Sequence, residues 1–377
     1  MQNLSEKLEA LKQADSFRTI KNIKEKISKY IVVDDKKMLN LSSNDYLNLS
    51  TDKDLIAEFV DKNISSNEFL FSSASARLLT GQSACYGKLE DNFKKLYKKD
   101  GALLFNTGYQ CNQGVVSTLF DKGDCIISDK LNHASIVSGL KLSPAEHFRY
   151  RHNDMEQLEK ILIEKRNSYR NVLIISESVF SMDGDIADIK KLVELKKKYN
   201  CLLMIDEAHA FGVFGDNLAG VCEKLNILNE IDIITVTLGK SLGSLGAVCI
   251  SSKTIIDYLI NKASSFIFST AIPSVNVMWT NFLLNEKFRL LREKSEKLNN
   301  LFDFVHSIYP SVSVSQIVPV ILGEARTAKE KALKLQNKGF YVLPINPPTV
   351  PIGTSRLRLS LTADITKEEI TKFFEEL

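Results

Sequence analysis

The chain has 377 residues, 44% hydrophobic and 25% charged, an ordinary globular composition with room for one large domain and a smaller one. Its 49 basic and 46 acidic side chains are interspersed and leave a net charge of +3, which argues against a nucleic-acid-binding or membrane-surface protein. No apolar run reaches the ~18–20 residues of a membrane span. The stretch Met1-Gln-Asn-Leu-Ser-Glu-Lys7 lacks a signal-peptide core, and six scattered cysteines without Cys-x-x-Cys spacing read as reduced thiols of a cytoplasmic protein, with neither zinc nor disulfides.

Taken in order, residues 3–29 show a helical period at Leu4, Leu8 and Leu11, then at Ile20, Ile23 and Ile27. This predicts one lead-in helix or two. Residues 30–33, Asp34-Asp35 and 37–41 read as a hairpin, so 1–45 forms an N-terminal lead-in. The small-residue stretch 70–81 reads either as a flexible surface loop or as a close-packed loop near a ligand or partner subunit. Residues 89–97 form an amphipathic helix. Apolar runs at 102–105, 124–128, 146–150, 172–175, 201–205, 231–236 and 246–250 then alternate with helical patterns. Continuous apolar strands separated by helices predict an α/β large domain over 46–285, with a mostly parallel seven-stranded sheet. Ligand-binding groups should gather at the carboxyl ends of its strands. From 286 to 377 a charged helix, short strands and two further helices predict a smaller α+β domain. Its Pro347-Pro348-Thr349-Val350-Pro351 stretch reads as an ordered loop, because proline fixes φ.

Several strand-end loops hold polar groups. Lys240, in Thr237-Leu-Gly-Lys-Ser-Leu-Gly243, could snorkel to water, or be held for Schiff-base chemistry. A P-loop is excluded, because Ile234 occupies the position of the required first glycine. Asp206-Glu-Ala-His209 matches a helicase signature, yet the Gly-Lys-Ser lies downstream of it, the wrong order for a nucleic-acid motor. In a helical first turn Asp206 and His209 would share a face; Asp206 could also be a helix N-cap. Thr107-Gly108-Tyr109 is either an ordinary strand-to-helix turn or a phosphate site at a helix N-terminus. His133 could be a cap or core histidine, and Ser181 a turn residue. Together these are the parts a pyridoxal phosphate enzyme needs: a lysine for the aldehyde, a carboxylate for the pyridine nitrogen, a helix terminus for the phosphate and an aromatic ring to stack.

At these residues the chain resembles the α-oxoamine synthases, fold-type-I pyridoxal phosphate enzymes that join an amino acid to an acyl thioester with loss of CO2. Ser42-Ser-Asn-Asp-Tyr-Leu47, Asn132-His-Ala-Ser135, Val179-Phe-Ser-Met-Asp-Gly-Asp185, Asp206-Glu-Ala-His209 and Thr237-Leu-Gly-Lys240 match in order and spacing. The resemblance implies that Lys240 is the Schiff-base lysine and the acid/base at Cα. It implies that Asp206 pairs with the ring nitrogen and that His209 and Ser181 contact the 3′ oxygen. His133 stacks on the ring, and Gly108, Tyr109 and Thr237 hold the phosphate. Lys240, His133 and Asp206 are then catalytic. Arg358 binds the amino-acid carboxylate, with Asn44, Thr349 and Arg18 near the substrates. Residues 347–363 are very similar to the family's biotin-pathway branch, which implies L-alanine and a pimeloyl thioester of coenzyme A or of acyl carrier protein as substrates. The runner-up is the glycine C-acetyltransferase branch. A homodimer with the active site at the subunit boundary is implied as well. Two departures stand out. The family's glycine-rich loop is here Ser72-Ser-Ala-Ser-Ala-Arg77, which should be stiffer, and Tyr86 replaces a usual histidine.

Overall fold

A computed structural model describes residues 3–377. The chain opens with α1 (Leu4–Gln13), β1 (Ile23–Ile27), β2 (Tyr30–Val33) and β3 (Lys36–Asn40). The isoleucine spacing at 23 and 27 thus belongs to a strand, not to a second helix. A spacing of four residues fits one face of a strand as well as one face of a helix, and β1 pairs antiparallel with β2. Asp34 and Asp35, at φ +49° and +60°, make the left-handed two-residue turn that lets β2 and β3 pair without splaying.

The central stretch runs α2 (Lys53–Asn63), α3 (Ala84–Tyr97), β4 (Gly101–Phe105), α4 (Gly108–Thr118), β5 (Cys125–Asp129), α5 (Ala134–Leu142), β6 (Glu146–Tyr150), α6 (Met155–Lys165), β7 (Val172–Glu177), α7 (Ile189–Tyr199), β8 (Leu202–Asp206), α8 (Val221–Lys224), β9 (Ile233–Thr237) and β10 (Ala247–Ser251). It ends with α9 (Lys253–Lys262), α10 (Ser264–Ile267) and α11 (Ser274–Glu286). The remaining elements are α12 (Phe288–Ile308), β11 (Ile317–Gly323), α13 (Ala325–Asn337), β12 (Phe340–Tyr341), β13 (Pro344–Ile345), β14 (Ser355–Ser360) and α14 (Lys367–Glu375). Helix starts are set by short polar side chains. Asp154 caps α6, Asp188 caps α7, and Thr366 with Glu369 forms a capping box on α14.

The chain divides into two compact units. One comprises Met1–Asp52, Met182–Asp185 and Glu296–Leu377, and holds the four-stranded sheet β1-β2-β3-β12 and the three-stranded sheet β11-β14-β13. The other comprises Lys53–Ser181 and Ile186–Ser295, and holds the seven-stranded sheet in the order β4-β10-β9-β8-β7-β5-β6. Neighbours from β9 to β6 pair parallel, and β10 runs antiparallel to both β4 and β9. Every residue of β4, β5, β7 and β10 is buried, as expected for strands covered on both faces. Leu103, Phe105, Val115, Ile126, Ile175 and Met204 belong to one core that joins the sheet to α4 and α5. Burying each such side chain is worth about 1.5–3 kcal/mol. Because β4, β5, β7, β8 and β9 share one direction, Phe105, Asp129, Glu177, Asp206 and Thr237 all lie at the same sheet edge. Among the described residues no helix is long and apolar enough to cross a membrane.

Candidate active site

The site in the larger-sheet unit is built from the loops that leave the strands at that edge. After β4, Thr107 caps α4 by accepting from the Gln110 N–H at 3.1 Å, so α4 begins at Gly108 with its first amides directed out of the helix. A Cβ on Gly108 would lie 2.5 Å from Cγ2 of Thr237. Glycine is therefore required where the helix start approaches the end of β9. Tyr109 is exposed beside it.

After β8 the chain does not enter a helix. Ala208–Val213 forms successive tight turns, because the Asp206 side chain captures the Ala208 N–H at 2.8 Å. The buried Glu207 carboxylate anchors these turns by accepting from the amides of Val221 and Cys222 and from the Ser178 hydroxyl. Asp206 and His209 are both buried. The other Asp206 oxygen accepts from Asn112 Nδ2 at 2.7 Å. Two donors on two oxygens leave the carboxylate further lone pairs for one more proton donor.

After β9, the loop carrying Lys240 folds back on itself. Leu238 donates to the Gly246 carbonyl at 2.9 Å, and Gly243 to the Lys240 carbonyl at 3.0 Å. Lys240 is half-buried, and its Nζ lies 2.8 Å from Nε2 of His209. After β5, His133 caps α5, with Nδ1 accepting from the Ser135 N–H at 3.2 Å. Its ring meets Tyr109 edge-on at 6.5 Å. Removal of water by the surrounding protein lowers its pKa, Asp206 opposes that shift and Lys240 adds to it. Ser181 is half-buried in the loop after β7, which the Val179–Ile186 bridge closes.

Asn112, Ser135, Thr235 and Glu177 were not singled out by sequence reasoning. Asn112 contacts Asp206 directly, and the Glu177 carboxylate accepts the His133 N–H. Burial raises the pKa of Glu177, and the neighbouring Asp206 raises it further. The available signal was a polar side chain one helical turn after Gly108, and a carboxylate ending a buried strand.

Arg358, Asn44, Thr349 and Arg18 lie in the other unit. Arg358, buried in β14, donates to Asn44 Oδ1 at 3.1 Å and to Ser360 Oγ at 2.7 Å. Arg18 donates to Thr349 Oγ1 at 2.9 Å on the surface.

The donor set in the larger-sheet unit suits pyridoxal phosphate. It has a primary amine for an aldehyde, a buried carboxylate for a ring N–H, and a helix start pinched against a threonine for a phosphate. Among the described residues no group of three His, Cys, Asp or Glu is placed to hold a metal ion.

A family model of class I and II aminotransferases matches residues 36–377. A provisionally named 8-amino-7-oxononanoate synthase of Glaesserella parasuis serovar 5 is 45% identical over 98% of both chains. The 8-amino-7-oxononanoate synthase of Chlorobaculum parvum is 40% identical over 98% of this chain and 96% of its own. Among solved structures, a lysine-to-alanine variant of a serine palmitoyltransferase of S. paucimobilis with a bound PLP–myriocin aldimine superposes at a TM-score of 0.88, with 28% identity, over 100% of this chain and 96% of that one. The 8-amino-7-oxononanoate synthase of Francisella tularensis superposes at 0.74, with 28% identity, over 90% and 96%.

Proposed function

The chain belongs to the class I and II aminotransferase family, with the fold-type-I transferase architecture, and on that premise we propose that it condenses L-alanine with a pimeloyl thioester. The products are 8-amino-7-oxononanoate, CO2 and free thiol, a step of biotin biosynthesis. Full-length identity of 40–45% to proteins named for that activity supports the reading. The single structural observation that carries it is the amine of Lys240 in a closed loop, 2.8 Å from a buried histidine, in the same unit as the buried Asp206.

Pyridoxal phosphate, when bound, supplies an electron sink that stabilises negative charge at the amino acid's Cα. The amides of Gly108 and Tyr109 and the Thr237 hydroxyl hold its phosphate. Asp206 keeps a proton on the ring nitrogen, and Asn112 and the Ala208 amide hold that carboxylate in place. His209 and Ser181 hydrogen-bond the 3′ oxygen, and His133 covers the ring. Lys240 is the attachment point and carries the proton exchanged at Cα. Arg358 clamps the substrate carboxylate as a fork, oriented by Asn44 and Ser360. Thr349 and Arg18 contact the substrates, and coenzyme A or acyl carrier protein carries the acyl group. The protein acts as a homodimer in the cytoplasm. Exposed apolar side chains of the larger-sheet unit, such as Phe71 and Phe268, supply surface for the dimer contact.

The test is CO2 and thiol release by purified protein given alanine, glycine or serine with pimeloyl or acetyl thioesters. Alanine with a pimeloyl donor is expected to dominate. Faster turnover of glycine with acetyl-CoA would move the assignment to the acetyltransferase branch.

A further inference from the structure

Two side chains that the proposed reaction uses separately are joined through the protein interior. Asn112 Nδ2 donates to Asp206 Oδ2 at 2.7 Å and to Ser135 Oγ at 3.1 Å. Asn112 Oδ1 accepts from the Thr235 hydroxyl at 3.0 Å. Ser135 Oγ in turn lies 2.7 Å from His133 Nδ1. Asn112, Ser135, Thr235 and Asp206 are all buried, so water does not compete for the bonds among these four.

The directions of these bonds follow from the chemistry of each group. An ionised carboxylate accepts only, so the oxygen of Asp206 fixes which end of the Asn112 amide faces it. The Asn112 nitrogen then has a second N–H for the Ser135 oxygen, and its carbonyl is left to the Thr235 hydroxyl. Ser135 Oγ, already accepting, has its own hydrogen to give, and Nδ1 of His133 is the acceptor within reach. The Ser135 backbone N–H points at the same nitrogen at 3.2 Å. A nitrogen that accepts from two donors has no place for a proton of its own. The His133 backbone is held as well, because the Glu177 carboxylate accepts its N–H.

We propose that Asn112 and Ser135 are positioning residues that tie the His133 ring to the Asp206 carboxylate and hold that ring as the neutral tautomer with its proton on Nε2. The ring would then present the cofactor with an uncharged face. This leaves Asp206 as the carboxylate opposite the ring nitrogen and Lys240 as the cation at the aldehyde. The charged and titratable groups facing His133 are Asp206 at the end of β8, Glu177 at the end of β7, Lys240 in the loop after β9 and Tyr109 at the start of α4. Asp206 favours a proton on His133, whereas Lys240 and the loss of water oppose it. The hydrogen-bond chain decides which nitrogen of the neutral ring carries the hydrogen. The importance for catalysis rests on the function proposed above; the tautomer does not.

The test is nitrogen NMR of the full-length protein with 15N-labelled histidine, recorded with and without pyridoxal phosphate from about pH 8 to about pH 5. His133→Phe assigns the signal. The expected result is an unprotonated, hydrogen-bonded Nδ1 and a protonated Nε2 at neutral pH in both samples. Ser135→Ala should mix the tautomers and raise the protonation midpoint of His133 by about one pH unit. Asn112→Leu, close in shape, should do the same and weaken pyridoxal phosphate binding about 10-fold. A wild-type His133 protonated on Nδ1, or charged at neutral pH, overturns the proposal without any variant. So does a His133 signal and midpoint that neither substitution moves. Because the cofactor-free sample carries the reading, a failure to turn over alanine is distinguishable from a failure of the tautomer lock.

Discussion

The loop after β9 and the segment 70–81 lie in the same unit and are built in opposite ways. The Lys240 loop is closed by its own amides, buries Leu238 and Leu242, and sends the Ser241 hydroxyl to the Phe211 carbonyl. The His209 ring, 2.8 Å from its amine, comes from the loop after β8 of the same unit. Segment 70–81 is tied to 270–275 by the Ala76–Thr270 bridge and by the Ala271 N–H donating to the Ser75 carbonyl at 2.9 Å, and it is anchored a second time at Arg77. That guanidinium makes two hydrogen bonds to Glu90, at 2.6 and 3.1 Å, and lies over the rings of Tyr86 at 5.1 Å and Phe266 at 5.5 Å. Glu90 also accepts the Leu104 N–H, which ties the segment to β4. Around this anchor Phe71 and Leu79 are each 79% exposed, and Phe268 is 83% exposed. A closed polar loop completes its own geometry, whereas exposed aromatic and aliphatic side chains beside a firm anchor call for a second surface. The glycine-poor sequence here is consistent with a segment that is fixed rather than supple. The two departures from the family pattern meet in this anchor. Tyr86 is buried, donates to the Ile272 carbonyl, and carries Arg77 on its ring.

The largest expected effect falls on the closed loop. Lys240→Ala should lower turnover by more than ~10⁴-fold if, as proposed, one amine serves as both attachment point and proton carrier; steady-state kinetics with alanine checks it, and retained activity would break the contrast. Asp206→Asn keeps the shape and removes the charge, and should cost about 10²–10³ in kcat while cofactor still binds. At the anchor, Arg77→Leu leaves the half-buried Glu90 without its cation and should destabilise the protein by about 2 kcal/mol. A shift of the denaturant midpoint reads this, and a change within ~0.5 kcal/mol would show that the segment is not held there. The smallest effect on the fold is expected from Phe71→Ser with Leu79→Ser, within ~0.5 kcal/mol for each exposed site. The same pair should shift the protein from dimer to monomer in sedimentation velocity, and an unchanged dimer would remove this face from the interface.

The seven-stranded sheet was legible because buried parallel strands write long apolar runs, as in Leu173–Ile175 and Ile233–Val236. Lys240, Asp206 and His133 were legible because each follows such a run. Ile23 and Ile27 misled because their spacing suits two periods, and only the pairing with β2 decides between them. The spacing of Asp206 and His209 would put both on one face only if a helix began there. The side-chain capture of the Ala208 amide, with Gly212 and Gly215 at positive φ, produces turns instead. Asn112, Ser135 and Thr235 were illegible for another reason. A lone amide on a helix and a lone hydroxyl on a strand are ordinary residues, and their meaning arises when the fold brings α4, α5 and β9 around Asp206.

The central claim is that the amine of Lys240, and no other, carries the cofactor. Borohydride reduction of the protein with pyridoxal phosphate, followed by peptide mass mapping, tests it most directly. The reduced cofactor mass should appear on the peptide containing Lys240 at one equivalent per chain. Label on a different lysine, or none at all while the visible absorption band is present, would contradict the account.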